Sequence, residues 1–274
     1  MPDLPPDASS PQDGAPSAPP SSAPAPPGDA DDAGMAGPGM ASWPDLLNEF
    51  RTEPPGPRRS EMHRTGEALR RIVHRLHGSP APVSELAAAA DELERLADRL
   101  DAFPNGSLYE GFGESPLAGR DPHAFFDHSP MLGRANPLAP PIELSVVDGE
   151  VRGRATFDSA YEGPPGCVHG GFVAAAFDEV LGSTQSLAGR PGMTARLTVN
   201  YRSPTPLHTE LTFVGRVVGV EGRKTFTQAT LHAGDRLCAD SDGLFVAIDF
   251  LKVADLRRKR DEAFGPEPRR EPPA

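Results

Sequence analysis

The sequence predicts an α+β fold in which an antiparallel sheet wraps one apolar helix. Three observations predict it. Ile142-Glu-Leu-Ser-Val-Val and Val151-Arg-Gly-Arg-Ala-Thr-Phe157 flank Asp148-Gly149, a strong hairpin signal. A long apolar segment then runs from His169 to about Ser186. Beyond it lie three or four strands, at 194–203, 209–220, 223–233 and 236–249, with turns at Ser203-Pro204-Thr205-Pro206, Glu221-Gly222 and Gly234-Asp235. Strands segregated from a single central helix give α+β, because a parallel sheet would need helices alternating with strands.

Taken in order, the 274 residues divide into five stretches. Residues 1–58 form a Pro-, Ala- and Asp-rich leader, whose first 40 residues hold eleven prolines, six aspartates and no basic residue. Such a segment buries too little apolar surface to offset its ordering entropy, so disorder is expected. It lacks the positive and apolar regions of a secretory signal. Residues 59–104 read as a helical hairpin. From Ser60, a candidate N-cap, apolar residues recur at Met62, Leu69, Ile72, Val73 and Leu76, and Gly78 with Pro80 marks the stop. From Ser84, Leu86, Leu93, Leu96 and Leu100 repeat the pattern until Pro104-Asn105-Gly106. Each helix has one apolar stripe and a charged back, so each needs a partner surface, either the other helix or another copy.

Residues 105–141 are a Pro/Gly-rich connector, in which Asn136 either caps a turn or lines a site. Residues 142–252 carry the sheet-and-helix domain. In its helix, Phe172, Ala175, Ala176, Phe177, Val180 and Leu181 cover more than one face, which predicts burial on most sides. Residues 253–274 read as a flexible tail with Arg257, Arg258, Lys259 and Arg260 among acids and prolines.

Composition narrows the function. Lys and Arg number 27 against 39 Asp and Glu, a net charge of −12, which excludes a nucleic-acid binder held by global charge. No apolar run approaches the length of a membrane-spanning helix. Two cysteines, Cys167 and Cys238, cannot make a disulfide framework and fit a reducing, cytoplasmic location. No Cys or His cluster is present, and His169 and Asp178 lack the i, i+4 spacing of a helical zinc site, so neither metal nor cofactor is expected.

The chemistry concentrates in Cys167-Val-His-Gly-Gly-Phe-Val-Ala-Ala-Ala-Phe-Asp178-Glu179. Two glycines at a helix start allow close approach of a backbone or ligand. The free amides there, with the positive end of the helix dipole, suit an oxygen gaining negative charge. Asp178 interrupts an apolar helix and needs either a structural partner or a chemical role. Glu179 faces elsewhere and reads as structural. His169 is either a general base or a helix-start residue bonding the incoming loop. Gly170 and Asp178 are eight residues apart, roughly 12 Å along one helix. One carbonyl must lie about 3 Å from both donor amide and attacking group. A single helix cannot meet that, whereas two antiparallel copies can. If both motifs act together, the protein is a homodimer or homotetramer.

His169-Gly170-Gly171 with Asp178, followed by Met193-Thr194-Ala195-Arg196-Leu197 and Val199-Asn200-Tyr201-Arg202-Ser203-Pro204, resembles the hotdog-fold thioesterases. It is most similar to their PaaI-like branch and the related mammalian acyl-CoA hydrolases, over Pro141 to Phe250. The resemblance implies a sheet wrapped on the helix, edge-to-edge dimers and an acyl-CoA substrate at the dimer interface. It implies Asp178 as base or nucleophile, the Gly170 amide polarising the thioester carbonyl, His169 placing loop and substrate, and Thr194 orienting the attacking water. Gly171 is the neighbouring amide. Arg202 and Arg223 are candidates for the CoA phosphates. One departure is Gly163, six residues before His169, where several PaaI-like members carry Asn or Gln. Two rival readings differ in class. One is a hotdog hydratase or dehydratase with His169 as base. The other is a non-catalytic acyl-thioester-binding or assembly protein that uses the leader and hairpin for interaction.

Overall fold

The computed structural model describes residues 55–103, 126–189 and 192–247. Residues 1–54 of the expected leader, the expected tail, and residues 105–125 of the connector fall outside them, while the last residues of the expected leader, Pro57 and Arg58, already belong to the first helix.

Helix α1 spans Pro57–Leu76 and α2 spans Val83–Asp101. The expected N-cap of α1, Ser60, lies inside the helix instead. Pro57 occupies the first turn, where a missing N–H leaves nothing unpaired, and Gly56 is the cap. Arg70, only 6% exposed, ties α1 to the connector. Its guanidinium donates to the carbonyls of Ala139 (2.8 Å) and Asn136 (2.9 Å), and to Glu67. Arg59 and His63 both reach the buried Asp127 carboxylate. By contrast, α2 buries no side chain among the described residues; its leucine stripe stays exposed or half-buried.

The domain follows the predicted order. Strands β1 (Glu143–Val147) and β2 (Glu150–Thr156) meet at Asp148-Gly149, both with positive φ (53° and 76°), the backbone that a two-residue hairpin twist requires. Helix α3 covers Gly170–Gln185. Then come β3 (Gly192–Tyr201), β4 (Glu210–Glu221), β5 (Lys224–Ala233) and β6 (Arg236–Ala247). All pair antiparallel in one six-stranded sheet of order β1-β2-β4-β5-β6-β3. The sheet wraps α3 as a hotdog fold. Val173, Ala176, Phe177, Val180 and Leu181 are at most 1% exposed, and Phe177 meets Phe213 of β4 edge-on at 5.7 Å between ring centres.

Strand β3 is the end strand, and its outer edge has no partner among the described residues. Its register slips between Thr194 and Arg196, leaving Ala195 unpaired as a β-bulge. Leu197, Val199 and Tyr201 oppose Gly243, Ser241 and Ala239, whose side of β6 faces the core. Without the bulge, Thr194 would alternate to the outer face. With it, Thr194 opposes the buried Phe245 and shares the helix-facing side.

Candidate functional site

The loop before α3 is held by its own backbone. Gly163 N–H donates to Cys167 O and Cys167 N–H to Pro164 O, both at 2.9 Å, while Glu162 Oε1 accepts from Gly166 N–H at 2.7 Å. Val168 N–H bonds Thr205 O and His169 N–H bonds Tyr161 O, each at 2.8 Å. Gly163 has a physical reason to be glycine: a Cβ there would lie 2.8 Å from the His169 Cα. An Asn or Gln side chain has no room at this position in this loop. Beneath it, the Tyr161 ring packs edge-on against Phe157 and Phe172. Burial pushes the Tyr161 phenol up to about 12 against the opposing field of Arg70, so it stays a donor, to Leu138 O at 3.1 Å.

His169 is the N-cap of α3. Its Nδ1 accepts the Gly171 N–H at 3.0 Å. The ring thus bonds the first turn of its own helix rather than the incoming loop. The Gly171 amide is taken up by this bond, unlike that of its neighbour. The Gly170 amide has no acceptor among the described residues. The Gly170 carbonyl accepts the Tyr201 phenol O–H at 2.8 Å.

At the middle of α3, Asp178 is exposed on a helix that is otherwise largely buried. The Thr194 hydroxyl donates to its Oδ1 at 2.8 Å. Glu179 turns instead toward the connector. Burial, more than the neighbouring Asp178 charge, pushes its carboxyl up to about 7, opposed by a hydrogen bond from Ser129. Ser129 Oγ also accepts the N–H groups of Met131 (3.2 Å) and Leu132 (3.1 Å), which leaves its proton for Glu179.

The predicted site residues thus form two clusters, one at the start of α3 and one at its middle. Asp178 and Thr194 make one; His169, Gly170 and Gly171 make the other. Arg202 joins neither. It is exposed and paired with Asp240, whose hydrogen bond raises the guanidinium and holds the Asp240 carboxyl low. Arg223 binds the Ala247 carbonyl at 2.8 Å. Asn136 caps a turn, accepting from Leu138 N–H at 2.9 Å. Tyr201 and the bulge at Ala195 were not singled out by the sequence. An aromatic residue in strand alternation carries no mark of a polar contact, and a bulge has no residue signature here.

Among the described residues, no helix is long and apolar enough to cross a membrane. The thioesterase superfamily model matches residues 165–239, which hold both clusters. The acyl-coenzyme A thioesterase THEM4 of Xenopus laevis is 36% identical over 89 residues, covering 32% of this chain and 40% of that protein. THEM4 of Mus musculus is 33% identical over 90 residues, covering 32% and 39%. The human acyl-coenzyme A thioesterase THEM5 is 30% identical over 92 residues, covering 33% and 37%. The chain therefore spans about 40% of the length of the curated relatives it matches. A crystal structure of a thioesterase superfamily protein superposes with a TM-score of 0.60 at 35% identity, covering 71% of this chain and 94% of that one. With that near-complete coverage added to the hotdog sheet and the paired clusters, the chain belongs to the thioesterase superfamily.

Proposed function

We propose that the protein is an acyl-CoA thioesterase, hydrolysing a thioester to free acid and CoA at an interface between two copies. The observation that carries this reading is a pair of groups on α3: near its middle a solvent-facing carboxylate held by Thr194, and at its tip a Gly170 amide with no acceptor among the described residues.

The thioester carbonyl oxygen lies at the Gly170 amide of one protomer. Asp178 of the other removes a proton from water as the water oxygen attacks the carbonyl carbon. The Thr194 hydroxyl holds the carboxylate, and the amide and helix dipole stabilise the oxyanion as it forms. When the intermediate collapses, the carbon–sulfur bond breaks, the thiolate takes the proton from Asp178, and the carboxylate is restored. General-base help of this kind contributes roughly 10²–10⁴-fold.

The register of β3 supports the shared site. Along one chain, Thr194 accompanies Asp178 and Tyr201 accompanies Gly170. The free edge of β3 invites antiparallel pairing with its copy. A two-fold axis near the strand centre then brings residue 194 of one copy beside residue 201 of the other, and Asp178 toward Gly170 of the partner subunit. Homodimers, or tetramers built from them, follow.

The His169 hydrogen bond disfavours the hydratase reading, because Nδ1 is occupied and the neutral ring then carries its proton on Nε2. The free cysteines fit a reducing, cytoplasmic compartment. The test is thiol release from short-, medium-, long-chain and aryl acyl-CoAs, followed with a chromogenic thiol reagent. Turnover of at least one class is expected. Tight binding without turnover across all of them would instead mark a non-catalytic acyl-thioester binder.

A further inference from the structure

We infer that Tyr201 is a positioning residue that acts through the Gly170–Gly171 peptide to hold His169 with Nε2–H facing the site. The phenol donates to Gly170 O at 2.8 Å, and Gly171 N–H of the same peptide donates to His169 Nδ1 at 3.0 Å. A peptide unit is planar, so fixing its oxygen also aims its N–H. A donor on the carbonyl polarises the amide and strengthens the N–H as a donor in turn. With Nδ1 accepting, the neutral imidazole carries its proton on Nε2. On this exposed residue, Nε2 is then a second donor at the tip of α3.

Core packing does not account for this tyrosine. It is 56% exposed, at the last position of the end strand, yet its hydroxyl turns to the helix tip. Gly170 makes room for it: a Cβ there would lie 3.3 Å from the phenol oxygen and 3.4–3.5 Å from the ring. The contact lies within one chain, so it stands apart from how copies pair.

The kinetic part rests on the proposed hydrolysis, whereas the tautomer part does not. In the unsubstituted protein, ¹⁵N NMR of the histidine rings is expected to give His169 as the Nε2–H tautomer. A dominant Nδ1–H form would overturn the inference whatever the enzyme activity. Tyr201→Phe removes only the hydroxyl. It is expected to mix the His169 tautomers and lower kcat about tenfold, the worth of one hydrogen bond, with KM little changed. A kcat loss without a tautomer change, a tautomer change without a kcat loss, or neither, each defeats the inference. If no thioester is hydrolysed at all, the proposed function fails while the NMR result still decides the tautomer.

Discussion

The Thr194 hydroxyl reaches the Asp178 carboxylate at 2.8 Å across a β-bulge that places the two on the same side of the sheet. The extra residue, Ala195, reverses the alternation of the first turn of β3. Thr194→Val keeps the shape and removes the donor. A hydrogen bond to a charged group is worth about 1.5–3 kcal/mol, so thioester turnover should fall roughly 10–100-fold in a steady-state assay.

Asp178→Asn keeps size and hydrogen-bonding atoms but abolishes the base. Turnover should drop roughly 10²–10⁴-fold with the circular dichroism spectrum unchanged. Single-turnover hydrolysis in ¹⁸O-water separates the routes: a mixed-anhydride path leaves label in the protein carboxylate, and direct water attack labels only the product.

Sharing between copies has its own signature. Asp178→Asn and Gly170→Val should each be nearly inactive alone. Co-refolded, they should regain activity, since a mixed dimer brings one intact carboxylate to one intact amide. Light scattering alongside should give at least a dimer, and a fully active monomer would end the shared-site reading.

Glu179 sets a pH dependence of stability. Its carboxyl is raised from 4.5 to about 7 in the folded state, with burial as the leading cause. The proton bound to the folded form favours folding fully below pH 4.5, and that contribution is lost as pH rises through 7. Glu179→Gln should flatten the urea-denaturation profile across this window. Well above pH 7 the variant should be the more stable protein, by about 3 kcal/mol.

Arg70 ties α1 to the connector. Arg70→Met leaves the carbonyls of Ala139 and Asn136 without their donor. A loss of about 3 kcal/mol in urea denaturation is expected, with kcat unaffected once the protein is folded.

Much of the fold could be read from local pattern. Asp148-Gly149 marked its hairpin because only a few residues accept positive φ on both sides of a tight turn. The many-sided apolar face of α3 announced a buried helix, and Asp178 stood out as a charge within it. Ser60 reads as a cap because serine caps well, but Pro57 fixes the first turn three residues earlier, with Gly56 as the cap. Gly171 was grouped with Gly170 because neighbouring amides look equivalent in a sequence. Only the ring of His169, turned back on its own helix, tells them apart.

By itself, the amino-acid order determined the periodicities, the turns and the identity of the carboxylate and glycines, since each of these depends on residues close along the chain. Tertiary structure decided which partners those groups receive. Thr194 meets Asp178, Tyr201 meets Gly170, Ser129 meets Glu179 and Asp240 neutralises Arg202. The contacts join segments 16, 31, 50 and 38 residues apart, and only the register of β3 against β6 and the packing of the connector on α3 bring them within hydrogen-bonding reach.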